Sequence, residues 1–126
     1  FDLRKPIRLG DGLAHQASDQ QMTYGNGYDH NFCLNGAGLR QVASVYAPST
    51  GIRMTVDTDQ PGVQFYTGNS LQGVNVAKCG HIYGQREGLC LETQNYPDAI
   101  NHPNFPSPVL RAGRRYDTTT IYRFSV

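Results

Sequence analysis

The chain has 126 residues, 38% hydrophobic and 17% charged, with 14 glycines, 8 tyrosines, 7 prolines and no tryptophan. One domain of this size buries roughly 65% of its unfolded surface, and the mixture excludes disorder and a helical bundle in favour of short strands joined by tight turns. A net charge of +1 and a pI near 7.9 exclude the electrostatic footprint of a nucleic-acid or anionic-membrane binder.

Residues 1–27 hold few apolar side chains and read as loop, with turn signals at Gly10-Asp11-Gly12 and Gly25-Asn26-Gly27. Phe1 and Leu3 look like strand residues. With no initiator Met before them, the opening reads as the middle of a longer protein. Asp29 to Leu34, a short apolar and polar mixture, reads as a strand end. A hairpin follows: Leu39 to Ala47, the turn Pro48-Ser49-Thr50-Gly51, then Ile52 to Asp57. In the second arm Ile52, Met54 and Val56 alternate toward a core while Arg53, Thr55 and Asp57 face water.

Val63 to Tyr66 is a further β-rich run between Pro61-Gly62 and Gly68-Asn69. Leu89 to Gln94 alternates again, with Leu89, Leu91 and Thr93 on one face and Cys90, Glu92 and Gln94 on the other. Residues 95–108 carry Pro97, Pro103, Pro106 and Pro108, which fit neither a sheet nor a helix interior. Thr118 to Val126 closes the chain as a β-prone segment. No window predicts an amphipathic helix, and the fold class is all-β and sandwich-like, formed by one structural unit.

The three cysteines, Cys33, Cys79 and Cys90, are odd in number and lack C-x-x-C spacing, so they read as thiols in a reducing compartment. Cys33 and Cys90 read as small packing residues. His15, His30, His81 and His102 show no metal-ligand spacing, and the glycines form no nucleotide-binding pattern. Glu92 lies within a strand, either facing solvent or lining a concave site. Asp29 stands near a turn, where a carboxylate often caps backbone amides. Gln64 sits between apolar neighbours, and a buried amide there needs a partner in protein or ligand. Together with Tyr28, Phe65 and Tyr66, these three residues have the makings of a carbohydrate site: polar groups for hydroxyls, aromatic faces for C–H surfaces. Two carboxylates also suit a glycosidase, whose outcome depends on a separation that sequence does not supply.

Tyr28-Asp29-His30-Asn31-Phe32, Pro61 to Asn69 (P-G-V-Q-F-Y-T-G-N) and Leu89 to Ala99 (L-C-L-E-T-Q-N-Y-P-D-A) resemble the aldose 1-epimerases. The opening Phe1 to Pro6, Asn104 to Ser107 and the ending Tyr122 to Val126 extend the similarity over essentially the whole chain. The resemblance implies a large antiparallel β-sandwich of the galactose mutarotase-like type, with residues 1–126 forming the C-terminal part of one domain. It implies a cytoplasmic isomerase that interconverts the α and β anomers of aldoses such as galactose and glucose, without a cofactor. Glu92 is then the general base, and Asp29 and Gln64 are substrate-binding residues.

The family's general-acid histidine, second active-site histidine and substrate-binding arginine lie in motifs such as N-H-S-Y-F, which this sequence lacks. The expectation is that this stretch alone carries half a site and is inactive. Its N-terminal complement belongs to a longer native protein or to another chain. Tyr83 to Glu87 also departs from relatives that carry Lys-His before the glycine. Two alternatives are a non-catalytic sugar-binding or regulatory module and a sugar-phosphate epimerase. The latter calls for a basic cluster that the motifs do not supply beyond Arg86.

Overall fold

Alternation and turn chemistry set the hairpin. In the computed structural model, which describes residues 1–73 and 76–126, β2 (Arg40–Tyr46) and β3 (Arg53–Thr58) pair antiparallel, with Tyr46 opposite Arg53 and Ser44 opposite Thr55. Gly51, at φ +77°, supplies the left-handed residue of the turn, and its N–H donates to the Ala47 carbonyl at 2.9 Å. β6 (Thr120–Ser125) pairs antiparallel with the other edge of β3, giving a sheet of order β2-β3-β6. A second sheet has the order β1-β4-β5, from β1 (Asp29–Cys33), β4 (Gly62–Tyr66) and β5 (Cys90–Gln94). Leu34 N–H donates to Pro61 O at one end of the β1–β4 pair, and Thr67 N–H donates to Tyr28 O at the other, which is antiparallel pairing. The chain is all-β, of the antiparallel sandwich class expected from its sequence.

Two compact units share the chain: residues 1–30 with 64–91, and residues 31–63 with 92–126. In the first, two short helices replace the loop expected over residues 1–27: α1 (Leu9–Leu13) and α2 (Gln20–Gly25). For α2 the missed signals are end caps. Asp19 accepts from the N–H groups of Gln21 and Met22, and Asn26 ends the helix in the left-handed conformation at φ +50°. Met22 anchors α2 as its one buried residue. Tyr28 stacks on Phe65 with ring centroids 5.1 Å apart, and both are buried.

In the second unit Val56, at 0% exposure, is the centre of the core, with Val63 and Ala99 also buried. Thr58 is equally buried, and its hydroxyl meets that of Thr120 at 3.0 Å. The Thr120 hydroxyl in turn meets that of Thr93 at 2.6 Å, tying β5 to β6. Arg40 fastens this end of the sheet by donating to the carbonyls of Asn35, Gly38, Thr58 and Gln60. The expected facing of β3 holds for Val56 but not at its ends. Ile52 is 43% exposed because it lies at the turn, one residue ahead of β3, where its carbonyl accepts from the Ala47 N–H at 2.9 Å. Asp57 is largely covered because Arg123, across the β3–β6 pair, forms an ion pair with it.

Candidate active site

Alternation along β1 turns His30 and Phe32 one way and Asp29, Asn31 and Cys33 the other. On β4 the buried Val63 and Phe65 share one face, which leaves Gly62, Gln64 and Tyr66 on the opposite one. Antiparallel register makes Asp29 and Gln64 diagonal neighbours, a separation that a glutamine side chain spans. Gln64 Nε2 donates to Asp29 Oδ1 at 2.8 Å. Two of the three predicted site residues therefore meet. Asp29 is exposed and Gln64 half-buried, so both keep oxygen lone pairs for a ligand.

Several buried groups hold this pair in place. Asn69, 3% exposed, donates through Nδ2 to the carbonyls of Gly25 and Tyr28, both at 2.8 Å. Its Oδ1 accepts from the Thr67 hydroxyl at 2.7 Å, and its backbone carbonyl accepts from Gln85 Nε2 at 2.9 Å. A Cβ on Gly27 would fall 2.3 Å from Asn69 Oδ1, so only glycine lets the chain pass so close, and its φ of +131° independently requires it. Arg86 adds a second clasp, donating to Gln16 Oε1 at 2.5 Å and to the Asn26 carbonyl at 3.0 Å. Burial, reinforced by the charge of Asp19, raises the pKa of the Tyr28 phenol.

Glu92 stands on β5 with an exposed carboxylate, flanked by half-buried Leu91 and Thr93. Gln94, two residues on and on the same face, donates through Nε2 to Asn31 Oδ1 at 3.1 Å. Tyr96 follows, edge-on to Phe105 at 5.2 Å, and burial, then the Cys33 thiol beside it, raises the pKa of its phenol. The Asn31–Gln94 contact and the Asn69 hub were not singled out from sequence. For Gln94 the signal was its shared face with Glu92, and for Asn69 its place directly after a turn glycine.

Some expectations fail. Tyr28 and Phe65 are 5% and 6% exposed, so they are core residues of their unit and present no open face to a sugar. Tyr66 keeps partial exposure, with its hydroxyl against Ser70 Oγ at 2.5 Å. Cys33 and Cys90 do not pack inside, and all three cysteines are solvent-exposed. Among the described residues no group of three or more His, Cys, Asp or Glu side chains is placed to hold a metal ion. No described helix is long and apolar enough to cross a membrane.

The scaffold is thus an antiparallel, all-β one with carboxylates and amides presented from its strands. The Aldose 1-epimerase family profile matches residues 1–123, and the chain belongs to that family. The galactose mutarotase of Homo sapiens is 50% identical over 127 residues, covering 100% of this chain and 35% of the human protein. The aldose 1-epimerase of Haemophilus influenzae is 36% identical over 126 residues, covering 98% of this chain and 35% of its own length. That of Escherichia coli is 38% identical over 102 residues, covering 78% of this chain and 29% of its own length. The chain spans about a third of the length of the human and Haemophilus relatives.

Proposed function

We propose that residues 1–126 are the C-terminal part of an aldose 1-epimerase domain, an isomerase that interconverts the α and β anomers of aldohexoses such as galactose and glucose. The observation that carries this reading is the family match over residues 1–123, which includes the segments bearing Asp29, Gln64 and Glu92. Two relatives bearing the names galactose mutarotase and aldose 1-epimerase support the substrate class.

In this reading Glu92 is the general base. Its carboxylate, exposed on β5, accepts the proton of the C1 hydroxyl. The C1–O bond of the ring breaks as the ring oxygen gains a proton, leaving an aldehyde. Rotation about C1–C2 turns the other carbonyl face to the returning hydroxyl, and closure gives the other anomer. Asp29 accepts from sugar hydroxyls. Gln64, whose amide N–H is engaged by Asp29 at 2.8 Å, offers its carbonyl oxygen. The acid that protonates the ring oxygen is assigned to the portion of the relatives' length that this chain does not match, so the stretch alone is inactive. Exposed thiols without a disulfide among the described residues support a reducing, cytoplasmic setting.

Polarimetry tests the activity. The complete protein accelerates the decay of rotation of freshly dissolved α-galactose and leaves methyl α-galactoside, which has no free anomeric hydroxyl, unchanged. Binding of galactose without any acceleration would instead assign a non-catalytic sugar-binding module.

A further inference from the structure

The amides of Asn31 and Gln94 meet across an intervening strand. β4 lies between β1 and β5 in the sheet, so a bond from Gln94 on β5 to Asn31 on β1 passes over β4. Strands spaced at about 4.8 Å put the two outer backbones roughly 10 Å apart, a gap two amide side chains close only if nothing rises between them. Gly62 of β4 provides that clearance. A Cβ there would stand 2.6 Å from Asn31 Oδ1, 3.1 Å from its Nδ2 and 3.0 Å from Tyr96 Cδ1. Gly62 is buried and is not among the glycines at positive φ, so the backbone itself does not demand glycine. The requirement is space for the Asn31 amide and for the Tyr96 ring beside it.

Glu92 needs such a support. It makes no side-chain hydrogen bond or ion pair with the described residues, so nothing attached to its own carboxylate sets its direction. Its aim follows the backbone of β5, the last strand in the order β1-β4-β5. From one face Thr93 fixes that strand to Thr120 at 2.6 Å. From the other face, the one Glu92 shares, Gln94 fixes it to Asn31 at 3.1 Å.

We propose that the Asn31–Gln94 bridge, admitted by Gly62, is the positioning device that holds Glu92 in its productive direction. The proposal rests on the reading of Glu92 as the base. Gln94 and Asn31 act through the strand, so losing them displaces the carboxylate without removing a sugar contact. The effect falls on kcat and spares KM.

The test compares Gln94→Leu, Gly62→Ala, their double variant and Glu92→Gln in the complete protein, reading kcat and KM for galactose mutarotation. Gly62→Ala leaves both amides in place and acts by crowding, most closely at Asn31 Oδ1 and then at the Tyr96 ring. Each single bridge variant lowers kcat about tenfold with KM within about twofold, as fits a displacement smaller than the ~1 Å that costs about a hundredfold. The double variant is no slower than the slower single, because both remove one contact. Normal kcat in the bridge variants beside an inactive Glu92→Gln overturns the bridge alone, as does a double variant about a hundredfold down. Full activity of Glu92→Gln overturns the base reading and the bridge proposal together.

Discussion

Replacing Asn69 tests how the Asp29 strand is held. Its side chain makes three hydrogen bonds from a site 3% exposed: to the carbonyls of Gly25 and Tyr28 and from the hydroxyl of Thr67. At about 1 kcal/mol net per bond, Asn69→Ala costs about 3 kcal/mol, and more where a carbonyl stays dry and unpaired. Guanidinium unfolding reads this as a lower midpoint at unchanged m. The Tyr28 carbonyl adjoins Asp29, so the KM for galactose rises as well.

Asn69→Asp sharpens the test. The aspartate fills the same volume, yet its second oxygen faces the two carbonyls that the amide N–H groups served. Burial and that repulsion raise its folded pKa above the unfolded value of ~3.9. The folded state then binds more protons than the unfolded one, so the variant gains stability relative to the parent as pH falls toward 4. At neutral pH it is less stable than Asn69→Ala. A loss below about 1 kcal/mol in Asn69→Ala, or an Asn69→Asp deficit independent of pH, would refute the hub.

Two further outcomes follow from the second unit. Val56→Ala removes two methyl groups from a fully buried position and costs about 2.5 kcal/mol in denaturant unfolding; a value under about 1 kcal/mol contradicts its central place. Hydrogen bonds from the Thr118 hydroxyl and the Thr119 N–H hold the Asp59 carboxyl below its usual pKa. Its stabilisation is therefore full above the unfolded pKa and is lost as pH falls through the folded one. Asp59→Asn flattens that acid limb of the stability profile, and an unaltered limb would contradict the assignment.

The strands were legible because period-two alternation and turn residues agree. Pro48 to Gly51 brackets the hairpin, and Leu89 to Gln94 puts Glu92 opposite Leu89 and Leu91. Helices α1 and α2 escaped because five or six residues give no amphipathic stripe; only the Asp19 and Asn26 caps betrayed α2. Side-chain reach escaped too. Alternation placed Gln94 on the Glu92 face but not against Asn31, since that contact depends on strand order and on what Gly62 lacks. Strand patterning likewise left the site role of Glu92 open, and the family resemblance supplied it. The aromatic platform misled because Tyr28 and Phe65 have the composition of a sugar site and the burial of a core.

The central claim is that Glu92 takes the anomeric proton. Its most direct measurement is the polarimetric kcat of the complete protein against Glu92→Gln, an isosteric change that removes the base and keeps the shape. The account predicts a fall in kcat of at least about a hundredfold, in the range general-base removal produces, with galactose still bound. Mutarotation by Glu92→Gln at the parent rate would contradict it.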